Sequence, residues 1–291
     1  MVQNLNNKVY SGFAVIEDFQ HIDDLYKNKE VSINLLQDNT LHPNTCLVIK
    51  NGQQSALGIV KKDKILLVSN NLSIAGIYPR NKEQSLAMRL LTDEDIDLVT
   101  LTGCAGSGKT LLALAYAWEQ LKSGKKNKIV LTKNVVPVGR EVGYLKGDLF
   151  NKIRPWVGNY YDNFEILGVP EYEIDDLSIE ERRYATKRTE KIEISPITFI
   201  QGRSISNAII LVDEAQNLSH REIKQILTRP SEGTKIILLG DLDQVFEKGL
   251  DSANNGLLAV VEAGKDSEFI GHIDLIKSER SRLTNWASKN L

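Results

Sequence analysis

Residues 97–110 decide the fold, and they read Asp97-Leu98-Val99-Thr100-Leu101-Thr102-Gly103-Cys104-Ala105-Gly106-Ser107-Gly108-Lys109-Thr110. The stretch that ends at Thr102 is typical of a short buried strand. The stretch from Gly103 matches G-x-x-x-x-G-K-[ST], a phosphate-binding pattern. Apolar residues then follow at helical spacing, at Leu111, Leu114, Ala115, Trp118 and Leu121. Strand, glycine loop and helix in this order are the context that the pattern needs.

The loop predicts a nucleotide site. Glycines let successive backbone N–H groups turn inward around phosphate oxygens, and the N-terminus of the helix adds partial positive charge. We expect Lys109 to reach the β- and γ-phosphates and the hydroxyl of Thr110 to bind Mg²⁺. The predicted nucleotide-binding residues of the loop are Gly103, Cys104, Ala105, Gly106, Ser107, Gly108, Lys109 and Thr110.

Composition sets wide bounds. The 291 residues suffice for one large α/β domain and a smaller appendage. A net charge of −2 provides no general attraction to nucleic acid, so any such surface must be a local patch. The sequence contains neither an apolar run long enough for a membrane span nor a signal-peptide pattern. Its two cysteines, Cys46 and Cys104, do not suggest a disulfide framework, which favours a cytoplasmic location.

The pattern changes near residue 78. Before it, short strands are predicted at 46–49, 56–60 and 65–68, with a short helix at 22–29. After it, strands alternate with helices, which favours a parallel sheet. The sequence therefore predicts an α/β fold with two parts. Residues 1–78 form a small β-rich module, and residues 79–291 form a P-loop NTPase domain with a RecA-like parallel sheet.

Within the second part, residues 128–132, 208–212 and 235–239 are apolar runs typical of strands buried on both faces. Residues 83–91 are predicted to be helical, and residues 272–275 to form an edge strand. Residues 171–193 carry many charges of both signs. We expect this stretch to be an exposed helical insertion whose charges are solvated.

A carboxylate pair, Asp213-Glu214, follows the apolar run 208–212. The end of a buried strand beside a phosphate loop is where an NTPase holds its Mg²⁺. Asp213 is predicted to bind the metal, directly or through water, and Glu214 to orient or activate the attacking water.

Two glutamines are further candidates. Gln244 follows another buried strand, where its amide can hydrogen-bond a γ-phosphate or the hydrolytic water. Gln84 lies at the start of the predicted helix at 83–91, where its donor and acceptor can read an adenine edge.

These motifs occur in one order: Gln84, the glycine loop, Asp213-Glu214-Ala215-Gln216, then Gly240-Asp241-Leu242-Asp243-Gln244. That order resembles the nucleotide-binding half of superfamily one helicases, and the chain resembles the PhoH-like ATPases more closely still. Further stretches carry the resemblance over roughly residues 75–290: Val138-Gly139-Arg140-Glu141-Val142-Gly143-Tyr144-Leu145, Gly147-Asp148, Pro155-Trp156, Gly202-Arg203-Ser204, Leu227-Thr228-Arg229, Asn255-Gly256-Leu257 and Glu279-Arg280-Ser281.

The chain looks most like the PhoH half of PIN–PhoH fusion proteins. Residues 1–78 are too few to contain a PIN ribonuclease domain, so no ribonuclease activity is expected of this chain. The resemblance implies a Mg²⁺-dependent ATPase that is helicase-like and linked to RNA.

Superfamily one helicases place ATP between two cores, whereas about 215 residues hold only one. An arginine that completes the site must then come from a neighbouring copy, which implies an oligomeric ring, and the resemblance suggests a hexamer. The predicted donor is Arg280 or Arg282, with Arg229 as runner-up.

Residues 139–165 interleave cations with aromatic residues. Arg140, Arg154 and Trp156 are candidates for binding single-stranded RNA, since cations follow a backbone and aromatic rings stack on bases. The alternative, held equally, is a loop that packs its aromatic residues against the core.

Three functions remain open. One is an ATPase coupled to RNA binding or remodelling. Another is an ATP-driven switch that acts on a protein partner without translocation along nucleic acid. The third is a kinase, against which Glu214 and Gln244 argue because they position water.

Overall fold

The computed structural model describes residues 9–36, 41–69, 71–134, 158–175, 191–195, 197–200, 203–247 and 249–279, with the backbone alone at 2–3 and 198–199. These residues form two β-sheets with helices packed against them. One sheet is mixed and belongs to the N-terminal part. The other is parallel throughout and carries the phosphate loop.

The mixed sheet has the order β1-β2-β4-β5-β6-β3. Its strands are β1 Val2–Gln3, β2 Phe13–Ile16, β3 Glu30–Ser32, β4 Cys46–Asn51, β5 Gln54–Lys61 and β6 Lys64–Val68. Helix α1, Ile22–Asn28, buries Ile22 and Leu25. The three predicted strands and the helix are confirmed, whereas β1, β2 and β3 were not predicted. The pairs β4–β5 and β5–β6 are antiparallel, but β2 pairs with β4 in parallel.

The parallel sheet has the order β13-β7-β12-β11-β8-β10-β9, so β13 lies at an edge as predicted. Its strands are β7 Leu98–Gly103, β8 Lys128–Lys133, β9 Ile174–Asp175, β10 Ile192–Ile194, β11 Ala208–Asp213, β12 Lys235–Leu239 and β13 Ile270–Leu275. All of its strand pairs are parallel, and the predicted α/β fold class is confirmed.

Helices cover both faces of this sheet. They are α2 Lys82–Thr92, α3 Lys109–Lys122, α4 Gly158–Leu167, α5 Ile197–Ile200, α6 His220–Leu227 and α7 Gly256–Gly264. Side chains alternate between faces along a strand. Leu131 and Leu211 therefore join the cluster that contains α2, α3 and α4, while Val130 and Val212 join the cluster of α6.

The expectation of an exposed helical insertion at 171–193 was wrong for strands β9 and β10, whereas Glu171–Glu173 do form a short 3-10 helix in which Tyr172 is exposed. β10 lies inside the sheet, and its central residue Glu193 is buried. Its carboxylate receives two hydrogen bonds from Arg203, of 2.6 and 3.1 Å, and others from Ser195 and Lys128. A charge that looks solvated in the sequence is thus neutralised inside the fold by partners distant in the chain.

The two sheets share one hydrophobic cluster through α2. Cys46, Val48 and Ile59 of the mixed sheet belong to the same buried cluster as Leu86 and Leu90 of α2. At the end of the helix, the carboxylate of Asp93 contacts Lys61 of β5 at 2.8 Å and Arg89 at 2.9 Å. Asp93 thus joins the N-terminal sheet to the helix.

We expect Asp93→Asn to lower the free energy of unfolding by about 2 kcal/mol at neutral pH, because two cations lose their charged partner. Burial acts to raise the pKa of Asp93, but the Lys61 hydrogen bond and the charges of Arg89 and Lys61 outweigh it, so the pKa lies below its usual value. The stabilisation is therefore present above about pH 4 and is lost as the pH falls through the folded-state pKa.

Urea unfolding of both proteins from pH 7 down to pH 3 measures this difference. The exposed pair Glu94–Lys125 provides a control, and Glu94→Gln should leave the unfolding free energy close to wild type. A deficit of the Asp93 variant that stays constant at all pH values would contradict the charge argument.

Candidate nucleotide-binding site

The phosphate loop connects β7 to α3 with a backbone that only glycine fits at two positions. Gly103 has φ +127°, and a Cβ there would lie 2.2 Å from the carbonyl oxygen of Leu275 on β13. Gly108 caps α3 with φ +95°, and a Cβ there would lie 2.8 Å from Nε2 of Gln84. The loop is thus packed tightly between β13 and α2.

Lys109 begins α3 and folds back onto the loop. Its Nζ donates to the carbonyl oxygens of Gly103 at 2.5 Å and Cys104 at 3.0 Å. Burial lowers the pKa of Lys109, while the negative charges of Asp241 and Asp213 oppose this shift. The loop's own carbonyls therefore hold a desolvated cation, for which a phosphate oxygen is a stronger partner than a carbonyl.

The remaining loop residues differ in exposure. Ala105 is exposed, Thr110 is half-buried, and the hydroxyl of Ser107 is buried with no hydrogen-bond partner among the described residues. The thiol of Cys104 points to the carbonyl oxygen of Ile276 at 3.3 Å, and burial raises its pKa. Cys104 is therefore held as a protonated thiol.

Asp213 ends β11 at the same edge of the sheet. It is buried, and burial raises its pKa against the lowering effect of Lys133, its register partner on β8. Its Oδ1 accepts a hydrogen bond of 3.1 Å from the backbone N–H of Glu214. Glu214 itself has φ +56°, a left-handed conformation that is costly for a side chain and common at functional sites.

Gln216 is a site residue to which the sequence assigned no role. Its Nε2 donates to Oε2 of Glu214 at 2.8 Å and to the carbonyl oxygen of Gln244 at 3.0 Å. Its Oε1 accepts from the backbone N–H of Asp241 at 3.2 Å. One fully buried amide thus ties the predicted catalytic carboxylate to the loop that carries Gln244. The one signal in the sequence was its position in the Asp213-Glu214-Ala215-Gln216 motif.

Asn217 holds the far end of that loop. Its Oδ1 accepts from the backbone N–H groups of Phe246 at 2.8 Å and Glu247 at 3.3 Å. Its carbonyl oxygen accepts from Nδ2 of Asn134 at 2.6 Å, directly after β8. These hydrogen bonds anchor the backbone at Phe246, whose side chain is half-exposed.

Gln84 lies against the phosphate loop. Its Nε2 donates to the carbonyl oxygen of Ser107 at 2.9 Å, and its Oε1 accepts from the backbone N–H of Arg80 at 2.8 Å. Both polar atoms of the Gln84 side chain therefore have hydrogen-bond partners within the protein. The recognition of an adenine base by Gln84 stays a prediction. What the geometry adds is a tether between α2 and the loop.

The chain after β13 forms a second tether that the sequence did not reveal. The backbone N–H of Glu279 donates to the carbonyl oxygen of Gly106 at 3.0 Å. Its carboxylate accepts from Nδ2 of Asn81, the cap of α2, at 2.8 Å. The loop is held from both sides by residues far apart in the chain.

The donor set fits Mg²⁺ when nucleotide is present. Among the described residues, no group of three or more His, Cys, Asp or Glu side chains could hold a metal by itself. Mg²⁺ prefers oxygen ligands, and commonly takes one or two from protein and the others from water and phosphates. The hydroxyl of Thr110 and the carboxylate of Asp213 would hold the ion there and so help to neutralise phosphate charge.

The structure does not place the predicted RNA-binding residues or the predicted arginine donors at this site. Arg140, Arg154, Trp156, Arg280 and Arg282 lie outside the described residues. Arg229 follows α6 and lies beside the amino end of β11, at the edge opposite the loop, where its Nε donates to the carbonyl oxygen of Gln225 at 3.0 Å.

Of the aromatic residues in the 139–165 stretch, Tyr160 and Phe164 lie on α4 and are buried. For these two the alternative of packing against the core is confirmed.

The parallel sheet, the glycine loop and the carboxylates at the ends of neighbouring strands define a P-loop NTPase core. Residues 76–290 match the family model described as PhoH-like protein. The chain belongs to the PhoH family, and the resemblance noted in the sequence is confirmed.

Two curated relatives match almost the whole chain. Protein PhoH2 of Bacillus subtilis (strain 168) is 39% identical over 293 residues, which cover 97% of this chain and 64% of that protein. Protein PhoH2 of Thermobispora bispora is 32% identical over 292 residues, with the same 97% and 64% coverage. The chain thus spans just under two thirds of the length of these relatives.

Among solved structures, the Sulfolobus solfataricus SWI2/SNF2 ATPase core in complex with dsDNA is similar, with a TM-score of 0.42 and 14% identity. The match covers 69% of this chain and 40% of that one. Separately, none of the helices in the described ranges is both long and apolar enough to cross a membrane.

We expect Gln84→Leu to weaken the binding of ADP and of tripolyphosphate by a similar factor, about tenfold, because the loop loses its tether. Competition with a fluorescent nucleotide measures both affinities. Lys82→Ala, an exposed change in the same helical turn, is the control. A loss confined to ADP would instead assign Gln84 to the recognition of the base.

Proposed function

We propose that this chain is a Mg²⁺-dependent ATP hydrolase of the helicase-like type whose turnover is coupled to single-stranded RNA. The observation that carries the proposal is the arrangement of Glu214. Gln216 holds its carboxylate at the end of β11, and Lys109 lies at the same sheet edge, on the loop that follows β7.

The proposed roles follow from the chemistry of each group. Lys109 and the backbone N–H groups of the loop bind the phosphates, and Thr110 with Asp213 holds Mg²⁺. Glu214 accepts a proton from the attacking water, and Gln244 reports the presence of the γ-phosphate. Positioned water favours hydrolysis over phosphoryl transfer to another acceptor, because a kinase must exclude water.

Support for RNA comes from three sources. Arg140, Arg154 and Trp156 interleave cations with an aromatic ring in the sequence. Phe246 is half-exposed on the loop that Gln216 joins to Glu214, so a base stacked on its ring would be mechanically connected to the catalytic carboxylate. The resemblance to superfamily one helicases points the same way.

A ring is the proposed assembly. The parallel sheet supplies one core, and an arginine from a neighbouring copy would stabilise the charge that develops on the phosphates. Arg280 is the proposed donor. Arg229, the runner-up, lies at the edge of the sheet opposite its own loop, so it is proposed as a donor only to the site of another copy.

We expect Glu214→Gln to bind ATP with near wild-type affinity and to hydrolyse it at least about 10²-fold more slowly, since the amide cannot accept the proton from water. Lys109→Ala should lose binding and turnover together. Phosphate release and fluorescent-nucleotide binding measure the two effects. If affinity and turnover of the Glu214 variant fell in proportion, Glu214 would be a binding residue.

The coupling is tested by ATP turnover with and without a single-stranded RNA oligonucleotide at low salt. We expect RNA to stimulate turnover, and Phe246→Ala to weaken RNA binding about tenfold, in the range of one lost stacking contact, while sparing RNA-free turnover. The native mass of the protein, measured under the same conditions, should be that of an oligomer.

Three results would count against parts of this proposal. Turnover indifferent to RNA and to DNA would favour the alternative, an ATP-driven switch that acts on a protein partner. Phosphate transfer to an added acceptor in place of release would favour the kinase. A monomeric mass at full activity would exclude the ring.

A further inference from the structure

The hydroxyl group of Tyr160 is buried close to Asp213 without forming a hydrogen bond of ordinary geometry. The residue lies on α4 and is fully buried, and its hydroxyl has no hydrogen-bond partner among the described residues. Burying a hydroxyl without a partner costs about 1–3 kcal/mol, so native proteins rarely do so without a reason.

The topology places Tyr160 on the face of the sheet that carries Asp213. Its ring belongs to the same buried cluster as Leu131 and Leu211. Asp213 lies two residues after Leu211, and Lys133 two residues after Leu131, so both point to that face. Asp213 and Lys133 are also register partners.

A second orphan hydroxyl serves as a contrast. Thr132 is buried and also lacks a partner among the described residues. It lies two residues after Val130 on β8 and so faces the same side as Val130, towards the cluster of α6 and away from Asp213. Of these two hydroxyls, that of Tyr160 is the one on the metal-binding side.

The chemistry of the two groups makes Tyr160 the donor. A phenol hydroxyl ordinarily loses its proton only near about pH 10, so it carries that proton at neutral pH. An ionised carboxylate can only accept hydrogen bonds. A protonated hydroxyl beside it is therefore a complementary partner.

We propose that Tyr160 is a positioning residue of the Mg²⁺ site, whose hydroxyl donates a hydrogen bond to the carboxylate of Asp213 and fixes the orientation in which it meets the metal. The inference rests on the proposed function, because it requires Mg²⁺ to bind with nucleotide at Asp213. Outer hydrogen bonds to metal-binding groups are typically worth tenfold or more in metal affinity.

Tyr160→Phe isolates the hydroxyl, since the ring and its packing remain. The probe is a fluorescent ADP, whose binding is measured at rising MgCl₂ and in EDTA. We expect the half-saturating Mg²⁺ concentration to rise about tenfold. Metal-free nucleotide affinity should be unchanged, because the ring and its packing remain.

Tyr116→Phe is the matched control. Tyr116 is a buried tyrosine on α3, but its ring contacts Lys235 at the amino end of β12, the opposite edge of the sheet. It should leave the Mg²⁺ dependence unchanged.

Two outcomes for Tyr160→Phe would overturn the proposal. One is an unchanged Mg²⁺ dependence, and the other is an equal loss of affinity with and without metal, which would indicate a structural role. If nucleotide binding by the wild-type protein did not respond to Mg²⁺ at all, the metal role of Asp213 would fail first, and this inference with it.

Discussion

The parallel register of β7, β12 and β11 is the constraint on which the site depends, since it brings three strand ends to one edge of the sheet. Leu101 pairs with Leu239, and Val212 with Leu238, so the chains leave these strands almost level. The phosphate loop, Asp241 and Asp213 follow directly. A slip of one residue in β11 would turn Asp213 to the other face, where α6 packs.

That convergence has an electrostatic cost, because burial favours the neutral form of every charged group at the edge. It lowers the pKa of Lys109 and raises those of Asp213, Asp241 and Asp274. Mutual attraction between the lysine and the carboxylates offsets part of this. The three carboxylates still outnumber the two lysines, Lys109 and Lys133, and this excess of negative charge would repel a triphosphate alone. In the proposed function, Mg²⁺ that binds with the phosphates would reduce this repulsion.

What the sequence could predict was local. The apolar runs at β11 and β12, the helix after the glycine loop and the Asp213-Glu214 pair each carry their signal in consecutive residues. Gln216 and Glu279 could not be assigned roles, because each acts through partners that only the fold brings near. β10 was missed for the same reason, since the charge of Glu193 becomes compatible with a buried strand through Arg203 and Lys128.

Helix α2 links the mixed sheet to the phosphate loop. At its start, Gln84 holds the carbonyl oxygen of Ser107 in the phosphate loop. At its end, Arg89 and Asp93 meet Lys61 of the mixed sheet, and apolar residues between them complete a cluster that both sheets share. A shift of the N-terminal sheet relative to α2 would therefore have to break the Asp93 contacts or carry the helix along, and with it the tether on the loop. The predicted boundary at residue 78 separates two sheets in the sequence, and the mixed sheet buries one hydrophobic cluster of its own. A second cluster crosses that boundary through α2, so the N-terminal part also supports the helix that tethers the nucleotide loop.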